Sequence, residues 1–332
     1  MEFRFNYKTS AGIHPSGTLK LNLRNNMQSI RRCVLTISFF LLSSTVPVLS
    51  PAKTFPALAV LSQIKSKVKA GYSKKMIEGF NGQMLLRRYR IRTEKKGRAT
   101  IFFNDGSEVR LFGETELTIG AKKSRNYRWV RYRLFLHTGS FWGHFVRGKH
   151  PVEIGGGGMR LQLSNASLRF SREKTAIDIA VPSGMAKVSN KSFSVKLLAG
   201  QRLYQVRKND FLPQKISLIP NQLILWIEPS APFFKGKESL KLNLHFQIVR
   251  YGTDLPVDRP GSIYLKSNYY NLKIPDSIRL NKDGKAKTTI EVAPPRSNDS
   301  TFEGSVTLHS TMDQSGYNDV QDGLLKVRFT SH

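Results

Sequence analysis

Cysteine is nearly absent from this sequence: 332 residues contain one, Cys33. It falls in a leader-like stretch, so the chain beyond residue 52 has no thiol, which excludes disulfides, a thiol nucleophile and cysteine zinc sites together. Negative charge is also scarce, with 23 Asp and Glu against 53 Lys and Arg and a formal net charge of +30. No paired carboxylates, no hydrolase-like order of Ser, His and Asp and no cofactor fingerprint stand out. Neither an enzyme nor a bound cofactor is therefore expected. Long apolar runs are missing except at residues 33–42, which are too few for a membrane-spanning helix of about 20 residues.

That run has the layout of a secretory signal. Arg31 and Arg32 form a basic head, the apolar core follows, and Ser50 and Ala52 supply small residues before Lys53. Residues 1–52 are expected to be an amino-terminal extension and signal peptide, with Met27 an alternative start. An uncleaved anchor, and membrane association through residues 27–52, is the competing reading. A cysteine-free exported chain suits the periplasm or cell envelope of a bacterium.

Charge is uneven along the chain. Residues 53–221 hold 33 Lys and Arg against 10 Asp and Glu, a difference of +23; residues 222–332 hold 14 against 12, a difference of +2. In LLRRYRIRTEKKGR, Arg88, Arg90 and Arg92 alternate, so on a strand they would share a face. A second cluster interleaves Arg125, Arg128 and Arg131 with Trp129 and, further on, Trp142. Such patches attract polyanions through charge and stacking; a solvated surface is the plain alternative. An exported protein rarely meets nucleic acid, so the expected partner is an envelope protein or anionic envelope component.

Residues 53–86 carry Leu58, Leu61, Ile64 and Val68 at helical spacing with Lys65, Lys67 and Lys69 between them, which predicts a short basic amphipathic helix or linker. From residue 87 to 212 the period changes to two. Runs such as ATIFF, EVRLF, YRLFLH and FSVKLL alternate apolar and polar residues between glycine-bearing turns, the mark of half-buried antiparallel strands. In Asp105, Gly106 and Ser107, Asp-Gly predicts a two-residue hairpin turn that would place Ile101, Phe103, Val109 and Leu111 on one buried face. Pro213 and Pro220 mark residues 213–221 as a linker. Residues 222–332 give seven more short strands between Gly, Pro, Asp and Asn turns, which suggests a β-sandwich.

The D-G-S hairpin, the strand pair with Leu134, Leu136, Gly139, Phe141 and Val146, and the L-x-A-G-Q segment at 197–201 resemble the FecR-domain family. One departure is Leu163 to Phe170, where a strand remains but the family's Gly-Thr pair is lost. Downstream, Asp283 and Gly284 before an alternating strand, with YGTDLPVDRPGSI earlier, are similar to bacterial Ig-like domains. The fold expected is all-β: a FecR-like antiparallel domain, an Ig-like sandwich and a short amino-terminal helix or signal segment. The resemblance implies an extracytoplasmic, non-catalytic module that binds a protein or anionic envelope partner through its basic half. The alternative it implies is a membrane-anchored regulator, as in iron-uptake signalling. Regulators of that kind carry a cytoplasmic sigma-factor-binding segment, and the 32 residues before the apolar run are too few for it.

Three weaker patterns remain. His137, His144 and His150 with Glu153 have no metal-ligand spacing, so surface histidines are expected there. Gly155 to Gly158 lacks the Lys and Ser or Thr of a phosphate loop, so a strand connection is expected. Asp313, Asn318, Asp319 and Asp322 lack calcium-loop spacing and predict a polar loop.

Overall fold

The period of two that begins at residue 87 corresponds to successive strands in the computed structural model, which describes residues 57–123, 130–146, 151–163, 165–230, 232–234, 238–269, 271–275, 277–293 and 303–331. The leader and Cys33 lie outside the described residues. The amino-terminal β body is two sheets that share one long strand. Sheet A runs, in spatial order, Gln83–Leu85, Ala59–Lys65, Arg98–Phe103, Glu108–Leu111, the second half of Val130–Phe145, Ala166–Glu173, Ala176–Ser183, Gln201–Val206 and Ile216–Leu218. Sheet B runs Lys75–Glu78, Val68–Tyr72, Arg90–Thr93, Glu116–Lys123, the first half of Val130–Phe145, Val152–Gly156, Met159–Leu163, Met185–Ser189 and Ser194–Leu198. The inward residues of both, including Ile101, Leu136, Phe141, Leu161, Phe170 and Leu197, make one hydrophobic core. Each such side chain contributes about 1.5–3 kcal/mol on full burial.

Gly139 is the point where Val130–Phe145 leaves sheet B for sheet A. Its φ is +84°, and a Cβ there would lie 2.4 Å from Thr115 Cα and 2.5 Å from Thr115 Oγ1. Beside it, Thr115 Oγ1 donates to the Ser140 carbonyl at 2.8 Å and accepts the Ser140 amide at 2.9 Å. The kink thus needs both a left-handed residue and no side chain, which only glycine supplies.

The D-G-S hairpin is present, with Ile101, Phe103, Val109 and Leu111 all buried. Its loop has three residues and not the expected two, closed by Phe103 N–H donating to Ser107 O at 2.9 Å, since only the glycine of the Asp105–Gly106 pair, at φ +86°, takes a positive φ. Two expectations are corrected. The helix expected within 53–86 is four strands, starting with Ala59–Lys65 and Val68–Tyr72. Gln63 and Ser66 have φ of +48° and +61°, and the register slips between Ser62 and Lys65. The bulge and the turn stretch a period of two into spacings of three and four, which imitated a helix. Residues 213–221 are not a free linker either. Pro213 sits in a 3-10 turn, Leu212–Lys215, and Ile216–Leu218 pairs with Gln201–Leu203 as the last strand of sheet A.

The carboxy-terminal part has two five-stranded sheets. Sheet C is Leu272–Lys273, Lys285–Val292, Leu240–Arg250, Asn221–Glu228 and Val320–Gln321; sheet D is Phe233–Phe234, Gly323–Ser331, Glu303–Met312, Gly261–Ser267 and Ile278–Leu280. A second core, with Leu244, Phe246, Ile263, Leu308 and Phe329, fills the space between them. Residues 55–332 form one compact unit, because the outer face of sheet D packs on the outer face of sheet A. The order of layers is B, A, D, C. Among the described residues, no helix is long and apolar enough to cross a membrane.

Candidate functional site

Strand alternation gives sheets A and B an outward face each, and the two faces have opposite fates. On sheet A, the cross-strand row Arg110, Trp142, Arg169 and the row Glu108, His144, Ser167 point away from the core. Both lie under sheet D. Arg169 is 1% exposed; its guanidinium donates to Thr311 Oγ1 at 2.5 Å and the Met312 carbonyl at 2.8 Å and lies 3.7 Å from Asp322. Burial pulls its pKa down, opposed first by Asp322 and then by Asp313. Trp142 Nε1 donates to Asp322 at 2.9 Å, Asp313 binds Arg98 at 3.1 Å and Arg110 at 3.2 Å, and Lys266 binds Glu108 at 3.0 Å. The Arg110 guanidinium lies 3.3 Å from the Tyr264 ring centroid, a cation–π contact. Burial, with the Glu108 charge second, pushes the Tyr264 hydroxyl up to about 12. These contacts hold one half of the chain to the other.

Among the described residues, sheet B meets no such layer. Arg90, Thr118, Phe135, Gly155, Arg160 and Ser189 form one row across its outer face. Arg133, Glu153, Gln162, Lys187 and Lys196 form the next. Two of its carboxylates are paired: Glu116 binds Arg90 at 2.8 Å and Arg92 at 2.5 Å, and Glu153 binds Arg133 at 2.7 Å, whereas Glu78, in the row of Lys69 and Arg92, is exposed. Arg160, Lys187 and Lys196 are exposed and make no ion pair among the described residues. His137 packs against Phe135 with ring centroids 4.8 Å apart. Burial lowers its pKa, and Arg90 lowers it further, so near neutral pH it adds no charge to this face. The face offers cations around an aromatic ring. Cations so placed attract anions.

The expected arginines are therefore distributed unevenly. Arg90 and Arg92 stand on the open face, whereas Arg88 precedes the strand at φ +73°, exposed and off the row. Trp142 is fully buried between sheets A and D; alternation there points it to the covered side, so it cannot line an exposed binding face. Arg125, Arg128 and Trp129 lie outside the described residues, and Arg131 is described in its backbone only. His137 and His144 occupy different sheets, and His150 lies outside the described residues. Of the glycine run, Gly155 lies beneath the Phe135 ring, and Gly157 and Gly158 turn the hairpin at φ +54° and +87°. Asp313, Asp319 and Asp322 lie between strands as expected, and there they meet arginines: Asp319 binds Arg259, and the other two anchor the halves together. The signal for this was present in Arg98, Arg110 and Arg169, each at an outward position of an alternating strand.

The family comparison falls on the same region. Residues 89–211 match the FecR protein family. The FecR match begins one residue before Arg90 and ends within the loop after Gln201–Val206, so it contains every cation named on the open face. Two crystal structures of a candidate anti-sigma factor from Parabacteroides distasonis are similar at 14% and 13% identity, over 36% of this chain, with a TM-score of 0.31. The chain covers about half, 56% and 55%, of those proteins. No curated protein matches the chain significantly.

Proposed function

We propose that this chain is a non-catalytic, FecR-type regulatory module of the bacterial cell envelope that receives an anionic partner on the outer face of sheet B. The observation that carries the reading is the FecR match over residues 89–211, the region that builds this face. The unbalanced Arg160, Lys187 and Lys196 support an acidic protein surface or anionic envelope component as the partner. Sheet D already occupies the other face, so the carboxy-terminal sandwich, read as Ig-like, acts as a rigid backing. Export through residues 27–52 belongs to the same proposal.

The test is genetic. The coding sequence is deleted and then restored as the parent or as Arg160→Glu, Lys187→Glu, Lys196→Glu combined, and transcripts are profiled under envelope stress. The expected result is a defined set of transcripts that shifts on deletion, returns with the parent and fails to return with the variant. Unchanged transcripts on deletion overturn the regulatory reading. Full restoration by the variant overturns the role of this face.

A further inference from the structure

At one end of the A–B sandwich, the turn of the hairpin 152–163, the hairpin turn at 173–176 and the loop after residue 206 enclose a cleft of about 600 Å³. Phe135, 45% exposed, and Ile177 provide an apolar wall. Arg172, Lys174, Arg207 and Lys208 line the rest. None of the four makes an ion pair among the described residues. Asp210, the carboxylate in the lining, is turned to local work: it accepts the Arg207 amide at 3.0 Å.

The cleft is also held in shape. Arg172 donates to the Leu136 carbonyl at 3.2 Å, which leaves its other guanidinium N–H groups available. Asn190 donates to the Asp210 carbonyl at 2.9 Å and fixes the loop. A Cβ at Gly157 would lie 2.4 Å from Ile177 Cδ1, and one at Gly158 2.7 Å from Lys208 Cγ. Glycine at both positions lets the hairpin turn close against that wall and the Lys208 stem. Four cations stand against the one carboxylate of Asp210 in the lining, so like charges remain in excess around the cleft, and a bound anion would reduce their repulsion. Cations bind phosphate through short, charge-assisted hydrogen bonds, and arginine does so with two donors at once.

We propose that this cleft binds an organic phosphate, its phosphate held between Arg172 and Lys174 on one side and Arg207 and Lys208 on the other, its apolar body against Phe135. The site goes beyond the regulatory reading and does not depend on it, since the test below reads binding by the purified protein.

The full chain is titrated calorimetrically at low ionic strength with phenyl phosphate and, separately, with inorganic phosphate. Phenyl phosphate should saturate one site and bind several-fold tighter than inorganic phosphate. Arg207→Ser with Lys208→Ser, both exposed, should weaken either ligand by about tenfold or more while the melting temperature stays unchanged. Phe135→Ser should remove the preference for phenyl phosphate and leave inorganic phosphate binding in place. Phosphatidylglycerol vesicles separate two sources of the phosphate. Vesicle binding that the double variant loses assigns a lipid headgroup, and soluble binding without vesicle binding assigns a free metabolite. No saturable binding of either phosphate, or binding that the double variant retains, overturns the site.

Discussion

Replacing Arg169 with alanine removes the central cation of the layer that joins sheets A and D. Arg169 is among the largest fully buried side chains, so the change has two costs. The first is the loss of two hydrogen bonds, to Thr311 and Met312, and of the charge facing Asp322. Breaking a buried ion pair from one side costs about 3–5 kcal/mol, because the remaining charge stays buried. The second is the cavity left by the missing side chain, which adds destabilisation unless sheet D moves in. Asp322 keeps the Trp142 indole N–H at 2.9 Å and has His309 at 3.6 Å, so its charge is not wholly orphaned, which favours the lower part of that range. The loss should fall on the docking of the two β units, since each has its own core. The assay is urea unfolding of the parent, Arg169→Ala, Asp322→Asn and the double variant, followed by tryptophan fluorescence. The parent should unfold in one transition and Arg169→Ala in two. The double variant should lose less than the two single losses added together, with a coupling of about 0.5–3 kcal/mol. A single transition in Arg169→Ala, displaced by less than about 1 kcal/mol, would refute the view that this arginine joins the halves.

Gly139→Ala should be costly: about 1–2 kcal/mol for the left-handed backbone and about 1–3 kcal/mol more for the overlap with Thr115, read as a lower denaturant midpoint; a midpoint equal to the parent's would contradict the kink. Among the arginines of the predicted cluster, Arg88→Ser should change stability by about 0.5 kcal/mol or less. Arg90→Ser with Arg92→Ser should cost about 1–3 kcal/mol, because Glu116, with its side chain 11% exposed, loses both partners; equal small effects would show that Glu116 gains nothing from the pair. For pH, burial first and then His309 and Lys266 hold the His144 pKa below 6.5, while Glu108 and Asp322 oppose them. The unfolded chain then binds the proton more readily, so this contribution to stability is complete above about pH 7.5 and declines as pH falls through 6.5 toward the lowered folded value. His144→Gln should flatten the melting-temperature profile between about pH 7 and 5, though only in part, because the His137 pKa is lowered too; an unchanged slope would remove His144 from the account.

The parts of the fold legible in the sequence were those governed by local rules. Ile101, Phe103, Val109 and Leu111 alternate around a turn whose glycine has positive φ, and each of these facts involves neighbours in sequence. Residues 58–68 misled because a bulge at Gln63 and a turn at Ser66 altered the spacing, and apolar spacing alone does not distinguish a bulged strand from a helix. NLKIPDSIRL reads as one strand, but Leu272–Lys273 belongs to sheet C and Ile278–Leu280 to sheet D, with Pro275 between them. Of the candidate site, Arg90 and Arg92 were found because they alternate within one strand. Arg160, Lys187 and Lys196 were not, since each comes from a different strand and only the register places them together. Trp142 was misplaced for a related reason: alternation shows that it points out of the sheet, and only the layer above shows that outward means buried.

The charge asymmetry of the chain now has a structural sense that counting by halves cannot supply. The cations at outward positions of both sheets of the FecR-matching region are not alike in their surroundings. Arg98, Arg110 and Arg169 on sheet A meet Asp313 and Asp322, which lie beside the strands of sheet D, so the carboxy-terminal half places two of its acidic residues where they neutralise cations of the amino-terminal half. Lys266 pairing with Glu108 reverses the polarity at one position and fixes the register of the contact. Among the described residues, sheet B has the same strand chemistry without that neutralising layer. A partner that engaged it on the same terms would bring carboxylates spaced to meet Arg160, Lys187 and Lys196, and a cation opposite Glu153 would then compete with Arg133. The internal contact between A and D thus describes, in this protein's own residues, the kind of surface that the proposed partner of the open face would present.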